Sequence, residues 1–210
     1  ALWGYTWEKN LETRERLASE GEMEEMNAVL ISYDDGRTWA SSRSVGLAAR
    51  RPPEASGAIN GLCEPALAWC NDGSVFMLCR TGLDRLYECR SVDGGRTWSD
   101  ARPTSLTSHN APAALCGIRG ERQGIMVVWN NSPKDRWPLC AAASFDDCRS
   151  WTTPRELALT PGVESSYPGT IQTADGKMLV VYQQRGSRFI LGARFEPDWL
   201  DADREPAAQP

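Results

Sequence analysis

Four side chains at the ends of predicted apolar strands offer one carboxylate, two guanidinium groups and one phenol. They are Glu64, Arg80, Arg136 and Tyr167. Two arginines presented together form a bidentate clamp for a carboxylate. A tyrosine beside a glutamate can lose its proton to it and become a nucleophile. Because an unpaired buried charge costs several kcal/mol, charged groups next to core strands indicate a site.

The elements that position these side chains are marked by an octapeptide, here called the box, which occurs three times. The copies are residues 32–39, 91–98 and 144–151, with the pattern S-x-D-x-(G/C)-R-(T/S)-W. Ser and Asp side chains bond backbone N–H groups a few residues on, and Gly supplies a positive φ. An apolar strand precedes each copy. We therefore expect each box to be a structural hairpin turn between antiparallel strands.

The spacing of the boxes predicts the fold. Asp34, Asp93 and Asp146 are 59 and 53 residues apart, which suits a four-stranded propeller blade. We predict an all-β fold, a β-propeller of four-stranded antiparallel blades, with about four blades in residues 1–200 and a disordered tail at 201–210. Either the ring is a small one, or part of its N-terminal side is missing from the sequence.

A propeller brings distant residues together because every blade starts near the central axis. Residues at equivalent strand ends in different blades should therefore lie around one central, funnel-shaped cavity. The four side chains at such ends are Glu64, Arg80, Arg136 and Tyr167. Asn110 and Gln183 are further candidates to line this funnel and to bond the hydroxyl groups of a ligand. We interpret His109 as a loop residue.

Together with the boxes, four short segments resemble the sialidase (neuraminidase) superfamily, and bacterial sialidase-like BNR-repeat proteins in particular. These segments are Glu64-Pro65, Arg80-Thr81, Arg136-Trp137-Pro138-Leu139 and Ser166-Tyr167-Pro168. The resemblance covers about residues 27 to 200 and implies a six-bladed propeller. It also implies that Tyr167 is a nucleophile polarised by Glu64, and that Arg80 and Arg136 are two members of an arginine triad that grips the carboxylate of sialic acid.

The resemblance thus implies a retaining exo-alpha-sialidase that acts on a sialic-acid-like or other acidic glycan, with no cofactor. A tyrosine nucleophile suits an anionic substrate, because a second free carboxylate would repel it.

The sequence departs from the family pattern in several places. Residues 1–31 contain no match for the first arginine of the triad or for the acid/base aspartate. Gln183 stands where the family often has glutamate, and Cys148 stands where the box usually has glycine. The alternative functions are a non-catalytic propeller that binds a glycan or a protein, and a glycosidase that acts on another sugar. Each site residue also has a purely structural alternative. Arg80 and Arg136 would be rim residues in ion pairs with loop carboxylates, Glu64 would simply end a strand, and Tyr167 would be a packed aromatic side chain.

Composition and cysteine usage limit the partners and the compartment. The 28 acidic and 23 basic residues give a net charge of −5, so we expect no nucleic-acid partner. No apolar run reaches the roughly 18 residues of a membrane span. The seven cysteines lack metal-ligand spacing, and we favour free buried thiols over disulfides and expect no metal site. A soluble protein in the cytoplasm is slightly favoured, and secretion stays open.

Overall fold

Each predicted repeat folds into one antiparallel sheet. The computed structural model describes residues 1–8, 25–47, 61–184 and 188–201. The first sheet consists of β1 (Leu2–Glu8), β2 (Glu25–Ile31) and β3 (Ala40–Ser41), and the second of β4 (Cys63–Trp69), β5 (Val75–Arg80), β6 (Arg85–Ser91) and β7 (Arg102–Thr107). The third consists of β8 (Ala114–Ile118), β9 (Gly124–Asn130), β10 (Leu139–Ser144) and β11 (Arg155–Ala158), and the fourth of β12 (Ser165–Gln172), β13 (Met178–Gln184) and β14 (Phe189–Phe195).

These sheets confirm the predicted all-β fold with four blades. In every sheet the strands follow one another in chain order. The first strands of successive blades, β1, β4, β8 and β12, contact one another in that order, as blades arranged around an axis do. A short 3-10 helix at Pro197–Asp201 follows the last strand. The predicted tail, apart from Asp201, lies outside the described residues.

Three hydrophobic clusters fill the spaces between successive blades. Side chains alternate between the two faces of a strand, so a strand that lies between two neighbouring blades is apolar on both faces. In β5, Phe76 and Leu78 belong to the cluster shared with the third blade, whereas Met77 and Cys79 belong to the cluster shared with the first. β9 repeats this pattern between the second and fourth blades.

The boxes form hairpin turns, as predicted. They join β2 to β3, β6 to β7 and β10 to β11, and all three pairs are antiparallel. In each box the Ser hydroxyl accepts a hydrogen bond from the backbone N–H four residues on, at 2.7–2.8 Å. The Asp carboxylate accepts one from the Thr or Ser hydroxyl four residues on, at 2.6 Å. The polar groups of the box therefore hold the turn.

The alternating strand directions separate two ends of the blades. β4, β8 and β12 begin at one end, and β5 finishes there with Arg80. The boxes and the β4–β5 turn lie at the other end, one strand length away, which is roughly 20 Å. The residues predicted to form the functional site therefore lie at the end of the blades opposite the boxes.

No helix in the described ranges is long and apolar enough to cross a membrane. The seven cysteines carry free thiols, of which those of Cys63 and Cys116 are half-buried and the others are buried.

Candidate active site

Two of the innermost strands carry the same local irregularity near their start. In both β4 and β12 the pairing register with the next strand shifts, as at a β-bulge. Glu64 and Tyr167 lie at these shifts with φ of 46° and 53°, and each precedes a proline. A non-glycine residue held in this region costs about 1–3 kcal/mol, and such strain clusters at functional sites. The outliers therefore motivate a functional hypothesis at these two residues.

Glu64 and Tyr167 lie on the wall of one cavity of about 540 Å³. The other lining residues come from the same level of all four blades: Gly4, Tyr5, Pro65, Pro112, Ala113 and Pro168. A cavity of this volume is within the range that small ligands occupy. Tyr167 is 39% exposed, so its side chain is accessible to a molecule in the cavity.

Arg80 connects the carboxylate of Glu64 to the third blade. Its Nη1 donates to Glu64 Oε2 at 2.8 Å, and its Nε donates to Asn110 Oδ1 at 2.9 Å. Only 11% of the arginine side chain is exposed. Burial by itself lowers the pKa of Arg80, but the hydrogen bond and the charge of Glu64 outweigh burial and leave that pKa above its usual value. Arg80 is thus a fixed cation beside the cavity.

Arg136 forms a second network next to Tyr167. Its Nη1 donates to Glu164 Oε1 at 3.0 Å, and its Nη2 donates to the backbone oxygen of Asn110 at 2.7 Å. The hydroxyl of Ser166 donates to the same Glu164 oxygen at 2.6 Å. The guanidinium carbon lies 5.5 Å from the centroid of the Tyr167 ring, a favourable cation–π distance. Glu164 and Asn110 therefore hold Arg136 against the phenol.

The structure joins most of the predicted site residues into one group. Asn110 links the two arginines through its side chain and its backbone oxygen. Gln183 lies on β13 opposite Ser166 and Ile190, and the described residues that line the cavity do not include it. The described lining residues do not include Arg80, Arg136 or Asn110 either, and contact of Gln183 with a ligand stays a prediction.

Sequence reasoning does not single out Glu164, which pairs with Arg136. A carboxylate followed by two serines at the start of a strand resembles an ordinary solvated strand end. The usable signal is Arg136 itself, because a half-buried guanidinium next to core strands requires a counter-charge. A search for that counter-charge leads to Glu164, three residues before Tyr167.

One group of side chains among the described residues approaches the spacing of metal ligands, away from the cavity. Candidate ligand atoms of Cys70, Asp72 and Asp147 lie within 4.8 Å of one another. Asp72 accepts hydrogen bonds from Ser74 and from Arg149, and Asp147 accepts one from the backbone of residue 71. These bonds already use the carboxylates to join two turns, and we assign no metal to them.

The sequence profile of the BNR repeat-like domain family matches residues 15–180 of this chain. The chain belongs to this family. The four blades of this BNR protein share the fold of the sialidases that it is similar to. No curated protein matches it in sequence.

Solved structures similar to the BNR protein have low sequence identity and show its fold. The intramolecular trans-sialidase from Ruminococcus gnavus has a TM-score of 0.65 at 19% identity, over 87% of this chain and 39% of that one. The leech intramolecular trans-sialidase has a TM-score of 0.66 at 17% identity, over 86% and 30%. A protein of unknown function from Dyadobacter fermentans has a TM-score of 0.69 at 22% identity, over 93% and 50%. The BNR protein thus spans half or less of the length of each.

Proposed function

We propose that the cavity is the active site of a retaining glycoside hydrolase of the exo-alpha-sialidase type. The observation that carries this proposal is the placement of Glu64 and Tyr167 on one cavity wall, with Arg80 bonded to Glu64 and Arg136 beside the Tyr167 ring. The substrate is a glycan that ends in a sialic acid or a similar acidic sugar.

In the first step the phenol oxygen of Tyr167 attacks the anomeric carbon while Glu64 takes up the phenol proton. The bond between the anomeric carbon and the departing sugar breaks, that sugar leaves as an alcohol once its oxygen takes up a proton from water, and a covalent glycosyl-tyrosine forms. Water then cleaves this intermediate with net retention. Arg136, whose guanidinium carbon lies 5.5 Å from the centroid of the Tyr167 ring, stabilises the negative charge that develops on the phenol oxygen.

The two arginines also offer donors to the substrate carboxylate. Among the described residues, Nε and Nη1 of Arg80 and Nη1 and Nη2 of Arg136 have hydrogen-bond partners. This leaves Arg80 Nη2 and Arg136 Nε for a ligand. A rigid guanidinium held by carboxylates recognises a planar carboxylate better than a mobile cation does.

The test is turnover of a fluorogenic sialoside by the protein and by Tyr167→Phe. Phenylalanine keeps the ring under Arg136 but removes the nucleophilic oxygen, so kcat should fall at least roughly a thousandfold. Tyr33→Phe is the matched control, because Tyr33 is 68% exposed in the first box, and it should retain full turnover. Equal rates for Tyr167→Phe and the unmodified protein would remove Tyr167 from the mechanism.

Calorimetric titration with free sialic acid separates catalysis from binding. Binding without turnover favours the alternative of a non-catalytic glycan-binding propeller, whose cavity and arginines would be the same. Absence of binding contradicts both functions and directs attention to other sugars that this fold accommodates.

A further inference from the structure

Two cysteines that are 78 positions apart in the sequence meet at the junction of the second and third blades. Cys70 begins the β4–β5 turn, and Cys148 lies in the third box, where the other two boxes have glycine. Cys70 Sγ lies 3.9 Å from the backbone oxygen of Asp147, the residue before Cys148, and both cysteines belong to the same buried cluster. They lie at the end of the blades opposite the cavity.

The surrounding contacts hold the two turns in this register. The backbone N–H of Asn71 donates to Asp147 Oδ1 at 2.6 Å, and Arg149 Nη2 donates to Asp72 Oδ2 at 3.0 Å. The Cys70 thiol lies 3.9 Å from the backbone oxygen of Asp147. Contacts on both sides of the sulfur pair therefore fix the approach of one blade to the next.

Cys70 has the environment of a reactive thiol. Arg90 places Nη1 3.9 Å from the Cys70 sulfur and donates through Nη2 to the backbone oxygen of Asp147 at 2.7 Å. The hydrogen bond from Cys148 outweighs burial and, with Ser74 and Arg90, lowers the pKa of Cys70 to about 7. The bond to Cys70 raises the pKa of Cys148, so Cys148 keeps its proton as the donor. A thiolate beside a cation is the nucleophilic form of cysteine.

A second pair of thiols provides a contrast within the same chain. Cys79 and Cys89 lie on neighbouring strands and share a buried cluster, but they are 0% and 1% exposed. Burial raises the pKa of Cys79 well above its usual value. Each pair thus shares one buried cluster, whereas the nearby cation and the 7% exposure belong to Cys70.

We propose that Cys70 and Cys148 form a redox pair that a peroxide oxidises to a disulfide joining the second and third blades. The Cys70 thiolate attacks the O–O bond of hydrogen peroxide, which breaks, and the departing hydroxide takes up a proton to become water. The Cys70 sulfenic acid is then attacked by the Cys148 sulfur. The S–O bond breaks, and the hydroxide leaves with the Cys148 proton as a second water. Two thiols lose two electrons, and one peroxide is reduced to two waters.

The disulfide would close a long loop across the blade junction, which constrains the unfolded chain. Because the pair lies away from the cavity, the modification alters the stability of the propeller without changing a group that contacts the ligand. A dithiol reductant reverses the step.

The test is disulfide mapping on the full chain. The protein is treated with hydrogen peroxide, alkylated and digested without reduction, and the peptides are identified by mass spectrometry. The expected result is one linked peptide that contains Cys70 and Cys148, loss of one pair of titratable thiols, a higher melting temperature, and reversal of all three by dithiothreitol. Retention of all seven thiols, or a first crosslink that joins other cysteines such as Cys79 and Cys89, would overturn the proposal.

Single-residue variants distinguish the thiol that attacks the peroxide from the thiol that attacks the sulfenic acid. In Cys148→Gly the third box regains the glycine of the other boxes, which suits the φ of 61° at this position, so the variant should fold. Without Cys148 the Cys70 thiol loses the hydrogen bond that lowers its pKa most, so its sulfenic acid should form more slowly, but it should then persist and be labelled by dimedone. Cys70→Ser should show neither label nor crosslink, and Cys89→Ala should form the crosslink normally. Labelling of Cys148 in the Cys70→Ser variant would contradict the assignment of Cys70 as the attacking thiol.

Discussion

Glu64 and Tyr167 are structural counterparts in two different blades. Each lies near the start of an innermost strand, at a register shift, with a positive φ and a proline after it. In the blade between them, Asn110 has φ of 44° and lies two residues before Pro112. The second and fourth blades thus present a carboxylate and a phenol from equivalent positions, and the third presents an amide from the segment before β8. Side chains from different blades combine into a site that no single blade contains.

The role of Arg80 is tested by Arg80→Lys. Lysine keeps the positive charge but lacks the fork that bonds Glu64 and Asn110 together, so affinity for sialic acid should fall roughly 30-fold, or about 2 kcal/mol. Calorimetric titration measures this change. Arg102→Lys is the control, because Arg102 is 64% exposed and pairs with Glu88 away from the cavity, and its affinity should be unchanged. An Arg80→Lys variant that binds as tightly as the unmodified protein would show that charge alone suffices.

The role of Glu164 is tested by Glu164→Gln. The amide still accepts a hydrogen bond but no longer pairs with the charge of Arg136, so the guanidinium is held less firmly beside Tyr167. We expect KM for a sialoside to rise roughly fivefold, or about 1 kcal/mol, with kcat little changed. Steady-state kinetics make this distinction. A large fall in kcat with KM unchanged would instead mean that Glu164 takes part in the chemical step.

The sequence predicts the blades, and the meeting of their strand ends around one site, better than it predicts individual contacts between side chains. Repeats of the box are local, so their turn bonds and their spacing can be inferred directly. The pairing of Arg136 with Glu164 depends on how the segment before β10 meets the start of β12, which no local pattern encodes. The meeting of Cys70 with Cys148 likewise depends on how one blade packs on the next, although Cys148 already departs from the box pattern.

Gly4 lies where the first blade packs closely against Pro65 of the second blade. A Cβ at Gly4 would lie 2.8 Å from Pro65 Cγ and 3.1 Å from the Pro65 backbone oxygen, and the proline ring cannot rotate away. Gly4→Ala should therefore destabilise the protein by about 1–3 kcal/mol, as overpacking does. Urea unfolding measures the change. Gly117→Ala is the matched control, since its Cβ would meet nothing within 4 Å, and its effect should stay within about 0.5 kcal/mol. Equal stability of the two variants would refute this close packing.

The third box makes a contribution to stability that depends on pH. Burial raises the pKa of Asp146, but hydrogen bonds from Ser150 and Ser144 outweigh it and lower the pKa from 3.8 to about 2. A lowered folded-state pKa stabilises the protein above the unfolded value and loses its effect as pH falls through the folded one. The urea midpoint of Asp146→Asn should thus be lower than that of the unmodified protein at pH 6. The gap should close between about pH 4 and pH 2; a gap that is constant with pH would contradict this account.

The most direct test of the proposed mechanism is covalent capture on Tyr167 with a fluorinated sialosyl fluoride. Fluoride departs without protonation, so the first step does not require a general acid, and the ring fluorine slows hydrolysis of the glycosyl-tyrosine. Mass spectrometry of the digested protein should show the sugar on the peptide that contains Tyr167, and Tyr167→Phe should show no adduct. A sugar attached to another residue, or no adduct under conditions in which the reagent binds, would contradict Tyr167 as the nucleophile.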